Sequence, residues 1–117
     1  MLLRLCDLSE LPCDGARGFT VAQRSLLTVR DQEGIHVFLN RCPHLGVPLQ
    51  WETDRFLDSE GAFIRCATHG ALFEKNTGLC ILGPCRGESL WQVTCQLDGS
   101  VVYIDADELP SEPAGPL

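Results

Sequence analysis

The chain has 117 residues, 44% of them hydrophobic and 21% charged, with a formal net charge of −7. That is one domain's worth of ordinary globular protein. So acidic a chain has no basic stripe to neutralise phosphates, which disfavours nucleic acid and anionic membrane and favours a partner with a basic surface.

The N-terminus, MLLRLCDLSE, is broken by Arg4 and Asp7. It offers neither a signal-peptide apolar core nor a membrane span, and the expected compartment is the reducing cytoplasm. Stable disulfides are disfavoured there, so metal or cluster ligation by some of the seven cysteines gains weight.

In chain order, LLRL and FTVAQ read as short strands separated by the turn-prone CDGARG, and LSELP has room for one helical turn. SLLTVRD and GIHVFLN are apolar, β-branched runs joined by DQEG, a hairpin signal. RFLD and AFIRC predict a second hairpin around DSEG. From Leu90 to Asp105, LWQVTCQLDGSVVYID alternates apolar and polar residues on both sides of LDGS, a third hairpin. The last residues, ELPSEPAGPL, are proline-rich and predict an extended tail. No stretch of ten residues keeps a helical period. The fold class is therefore all-β, a small antiparallel sandwich or barrel over residues 1–108 with a tail at 109–117.

Two loops carry the chemistry. The first holds Cys42-x-His44 in RCPHLGVPL, and 21 residues later the second holds Cys66-x-x-His69 in RCATHGALF. Each loop supplies one thiolate and one imidazole, and the glycines behind the histidines, Gly46 and Gly70, let the backbone pass close to a bulky group. Facing each other, the loops make a Cys₂His₂ ligand set. Zinc accepts the same four ligands, so composition alone leaves a zinc-stabilised binding module open. Structural zinc sites usually take cysteines from one knuckle and histidines from one helix, whereas here each loop mixes the two.

This arrangement resembles the Rieske family, whose pattern is C-x-H, a gap, then C-x-x-H. The likeness extends to CPHLGVPL, CATHGALF, Thr77-Gly78 and Gly83-Pro84, and covers nearly the whole chain. The gap here is several residues longer than the family's usual one, an excess that the RFLD–AFIRC hairpin absorbs. The resemblance implies a Rieske-like antiparallel β-sandwich with a cluster-binding subdomain of two ligand loops, within about residues 40–86. It also implies a 2Fe–2S cluster as cofactor, with Cys42 and Cys66 on one iron and His44 and His69 on the other. Two ferric ions, two sulfides and two thiolates sum to zero, whereas four thiolates leave a dianion that is harder to reduce. Rieske centres as a class accordingly lie at roughly −150 to +300 mV, against roughly −400 mV for plant-type clusters.

Within the family, the high-potential branch carries a further cysteine in each loop and Ser and Tyr hydroxyls that donate to sulfur. The matching positions here are Val47 and Thr68, then Ala71 and Phe73. The chain resembles the ferredoxin-type branch, which implies a carrier between a reductase and a terminal oxygenase; the alternative is the small subunit of a nitrite-reductase-like enzyme. A catalytic mononuclear iron would need two more histidines, and of the three in the chain only His36 remains. The expectation is an electron-transfer component with no catalytic residues of its own. His36 reads as a strand residue with an ordinary hydrogen bond, and Trp51 and Trp91 as packing residues. Cys6, Cys13, Cys80, Cys85 and Cys95 read as buried thiols, with a redox role for the C-x₄-C pair Cys80 and Cys85 as the minor alternative. Glu52, Asp54, Asp58 and Glu60 read as a solvated hairpin face. Pro43, Leu45 and Pro84 read as an apolar collar at the cluster.

Overall fold

The computed structural model describes residues 2–12, 15–32, 34–41, 57, 61–66, 70–83 and 86–109. Among them the chain forms ten strands and two 3₁₀ turns. The strands are β1 (Leu2–Asp7), β2 (Gly15–Val21), β3 (Arg24–Asp31), β4 (Gly34–Leu39), β5 (Ile64–Arg65), β6 (Leu72–Phe73), β7 (Cys80–Leu82), β8 (Gln92–Val93), β9 (Cys95–Asp98) and β10 (Val101–Asp105). They make three sheets, ordered β1-β10-β9, β2-β3-β4-β8 and β5-β6-β7, and every pairing is antiparallel.

The four-stranded sheet is the middle layer. Leu26, Val37 and Leu39 pack with Leu5, Cys6, Val102 and Ile104 of the β1-β10-β9 sheet. Their strand neighbours Leu27, Val29 and Phe38 pack instead with Ile64, Cys66, Ala71, Phe73 and Cys80 of the small sheet and its loops. Successive side chains point to opposite faces, so a strand buried on both sides reads as a continuous apolar run. This is why SLLTV in β3 lacks alternation, and Thr28 within it is also fully buried.

The β3–β4 hairpin stands as predicted, with Gly34 N–H donating to the Asp31 carboxylate at 3.1 Å. So does the β9–β10 hairpin, which turns at Gly99 (φ +64°) between Asp98 and its partner Val101. The β2 strand corrects the reading. GARG, expected in a turn, is its first half, and the true turn is Ala22-Gln23, with φ of +51° and +66°. Both residues sit in the left-handed region that a tight hairpin demands and that Asn-Gly normally signals. The Arg24 guanidinium donates to the Ala22 carbonyl at 2.7 Å and braces the turn.

LSELP does form one 3₁₀ turn, Leu8–Glu10, held by a capping box: Ser9 N–H donates to Asp7 and Asp7 N–H donates to Glu10. Ser100 Oγ–H also donates to the Asp7 carboxylate at 2.9 Å, tying the end of β1 to the β9–β10 turn. The Ser9 N–H first, and then the Ser100 hydroxyl, hold the Asp7 carboxyl below its ordinary 3.8. A lowered native value means that this contribution is complete above the ordinary pKa and fades as pH falls through the native one. Replacing Asp7 with Asn should therefore flatten the acid side of the stability curve between about pH 5 and pH 2, read by denaturant unfolding.

At the C-terminal end Ala106–Glu108 forms a second 3₁₀ turn, and Leu109, first residue of the expected tail, packs against the core beneath the β1-β10-β9 sheet; residues 110–117 lie outside the described residues. Thr94 N–H and Oγ–H both donate to the Glu108 carboxylate, and Trp91 Nε1–H donates to its carbonyl at 2.7 Å. Trp91 is thus a surface residue, 51% exposed, and not the packing residue anticipated; Trp51 lies outside the described residues.

Gly78 joins the small sheet to the middle layer. Its φ is +75°, and an added Cβ would lie 2.8 Å from the Phe38 ring and 3.1 Å from Leu90 Cβ. Gly78→Ala combines a strained backbone with overpacking and should cost about 2–4 kcal/mol in chemical denaturation.

Candidate metal centre

Of the four expected ligands, Cys66 lies among the described residues, and Cys42, His44 and His69 lie outside them. The two ends that launch the ligand loops are fixed. β4 ends at Leu39, after which Asn40, itself buried, donates its N–H to the Ser25 carbonyl and its side-chain amide to Ser25 Oγ. Arg41 N–H closes back on the Leu39 carbonyl at 2.8 Å, so the chain enters the Cys42 loop from a pinned turn. β5 delivers Cys66, a free thiol with no solvent exposure.

The backbone around Cys66 forms a closed cradle. Its N–H donates to the Ala71 carbonyl at 2.8 Å, and its carbonyl accepts from Gly70 N–H at 2.7 Å. Gly70 has φ of +68°, the left-handed conformation that reverses the chain without a Cβ penalty. The third loop closes over this turn from β7. Gly83 (φ +110°) sits so close to Ala71 that an added Cβ would lie 2.9 Å from both its Cα and Cβ. Cys80 holds the base of that loop: its N–H donates to the Glu88 carbonyl, its carbonyl accepts from Gly87 N–H, and its thiol donates to the Leu82 carbonyl at 3.3 Å. The Gly-Pro pair of the sequence thus begins with the residue that caps Ala71.

Small sheet and sequence motif meet here. In register, Ile64, Phe73 and Cys80 lie side by side across β5-β6-β7, with Arg65, Leu72 and Leu82 in the next row. These strands are two or three residues long, and ALFEKNTGLCIL shows no readable period. Of the hairpin predicted from RFLD and AFIRC, the described residues show the antiparallel bridge Leu57 to Ile64, and its turn lies outside them. Ala71 and Phe73 are both fully buried beside Cys66, packed as apolar residues.

The donor chemistry and the cradle fit an iron–sulfur cluster. Cys66 offers sulfur, the soft donor such clusters take, Gly70 turns the chain in a left-handed conformation, and Gly83 holds its backbone against Ala71 where a Cβ would intrude. Among the described residues, no group of three His, Cys, Asp or Glu side chains is placed to hold a metal ion. Burial first, and Glu10 next, push the Cys6 thiol up to about 11, and burial also raises Cys95, whose thiol donates to the Ile35 carbonyl at 3.4 Å. Both are protonated core thiols, as is expected of cysteines that do not bind metal. Cys80 too is buried, while Cys13 and Cys85 lie outside the described residues. His36 sits in β4, as expected of a strand residue, with its buried Nε2 at 3.5 Å from the Asp31 carboxylate and without a hydrogen bond among the described residues.

The family model for the Rieske [2Fe-2S] domain matches residues 1–104. The chain is a Rieske protein. The cofactor of this Rieske protein is accordingly a 2Fe–2S cluster, which excludes the zinc-stabilised module. No curated protein matches it in sequence. Among solved structures it is similar to the ferredoxin of carbazole 1,9a-dioxygenase from Nocardioides aromaticivorans IC177, at 22% identity and a TM-score of 0.72, covering 89% of this chain and 96% of that one. The Sphingomonas yanoikuyae B1 ferredoxin is similar at 24% identity and a TM-score of 0.73, with 90% and 98% covered. A complex of reduced oxygenase and oxidised ferredoxin in carbazole 1,9a-dioxygenase matches at 25% identity and a TM-score of 0.70, with 88% and 91% covered. Among the described residues no helix is long and apolar enough to cross a membrane.

Proposed function

We propose that Cys42, His44, Cys66 and His69 hold the cluster, and that this Rieske protein passes single electrons from a reductase to a terminal oxygenase in the cytoplasm. When bound, the cluster supplies a centre that takes up and gives back one electron. The observation that carries the reading is the Cys66 cradle: a buried free thiol on a closed turn, at the position where the Rieske motif places a ligand. The two cysteines would contribute the only charge among the protein ligands, and the two neutral imidazoles keep the assembly easier to reduce than four thiolates would. Ala71 and Phe73 bring no hydroxyl toward sulfur and leave its added charge without those donors, which favours the low-potential side of the family. Structures of a ferredoxin with its oxygenase in carbazole 1,9a-dioxygenase support the direction of transfer proposed for this chain. The domain proper is residues 1–108, with 109–117 following it.

An anaerobic reductive titration tests the carrier role. The purified protein should take up one electron per chain, bleach its visible spectrum, and recover it in full on reoxidation. Uptake of no electron, or of two, would contradict the reading.

A further inference from the structure

Among the described residues, Thr28 and Asn40 are the buried polar residues. Thr28 lies inside β3, whereas Asn40, 3% exposed, stands two residues before Cys42. Burying an amide costs stability unless it is hydrogen-bonded, and an apolar side chain would fill the same space without that cost. Asn40 bonds one residue twice. Its N–H donates to the Ser25 carbonyl at 2.9 Å, and its Nδ2 donates to Ser25 Oγ at 3.1 Å. The backbone bond extends the β3–β4 ladder one step beyond the pair Leu26 and Leu39. A single hydrogen bond tolerates a range of angles, so alone it would let the next peptide tilt. The side-chain bond adds a second point and fixes the tilt. There the chain bends, Arg41 N–H closing on the Leu39 carbonyl in a γ-turn centred on Asn40. Ser25 is a firm anchor: it pairs with Thr20 of β2, and Leu26 after it is fully buried.

Resting on the proposed ligand set, we propose that Asn40 and Ser25 are a positioning pair that sets how Cys42 is presented to the cluster. Two residues of chain span at most about 7 Å, too short to absorb a change of direction at Asn40. The pair acts on the ligand through the backbone and touches no reacting atom. Groups that orient a metal ligand from behind also tune the site, and losing one typically costs roughly 10–100-fold in metal affinity or activity. That role explains a buried amide which packing alone does not require.

The test compares wild type, Asn40→Ala, Ser25→Ala and the double variant as loaded proteins. Two readings are taken: the rate at which an iron chelator strips the cluster, and the g-values of the reduced cluster by electron paramagnetic resonance. Each single variant should lose iron roughly tenfold faster and shift the g-values in the same way. The double variant should match the singles, because each removes the same bond. Ser25→Thr, which keeps the hydroxyl, should return wild-type values. A general loss of stability does not produce this pattern, since g-values report the ligands of the loaded cluster and not the ease of unfolding. Wild-type g-values in either single variant, or effects that add in the double variant, overturn the proposal. Should Asn40→Ala fail to fold, Ser25→Ala at the half-buried partner decides alone by the same g-values. Wild-type protein that binds no iron would instead overturn the ligand set beneath the proposal.

Discussion

Cys66→Ser is expected to give a folded protein with no bound iron. The thiol is fully buried and lies where β5 meets the closed Gly70–Ala71 turn. Serine keeps that geometry, because both hydrogen bonds at this position run through the backbone. Only the donor atom changes, from a soft thiolate to a hydroxyl that stays protonated at neutral pH and binds iron poorly. The expected reading is iron and sulfide at background, with unfolding that stays cooperative. Cys42→Ser should do the same from the other loop. Cys95→Ser is the contrast: its thiol bonds the Ile35 carbonyl on β4, and a hydroxyl replaces that bond with iron content unchanged.

The second large effect is on potential. His44→Cys or His69→Cys, in protein that still assembles its cluster, should lower the midpoint by on the order of 100 mV or more. The substitution puts a thiolate where a neutral imidazole stood, so the electron enters an anion in place of a neutral group. Protein-film voltammetry reads the shift directly. An unchanged midpoint would mean that the substituted histidine is not a ligand.

The motif was legible because ligand chemistry is local. Two Cys/His pairs, the glycines beside them and the later Gly-Pro need only the sequence to be seen, and the family match spans the stretch that holds them. The two long hairpins were legible because one turns at Asp31–Gly34 and the other at Gly99, where sequence and backbone conformation coincide. The β2–β3 hairpin was missed for the opposite reason. Ala22 and Gln23 carry no preference for the left-handed conformation they adopt, so seven paired positions from Gly15 to Val21 impose it.

The small sheet escaped because its strands are too short for any period, and its order comes from packing on Phe38, Val29 and Leu27. Trp91 was misplaced because an aromatic residue suggests core, while here its indole N–H serves the C-terminal turn. Cys80 is the buried thiol that the sequence suggested, but its part in fixing the loop that seats Gly83 on Ala71, through its bond to the Leu82 carbonyl, had no sequence signal.

Mixed ligation by two cysteines and two histidines is the central claim, and nitrogen hyperfine spectroscopy of the reduced protein tests it most directly. With ¹⁵N placed only in histidine, pulsed electron–nuclear double resonance should show strong coupling to two imidazole nitrogens. One should vanish in His44→Cys and the other in His69→Cys. Spectra without strong histidine coupling, or unchanged when both residues are replaced, would contradict the assignment.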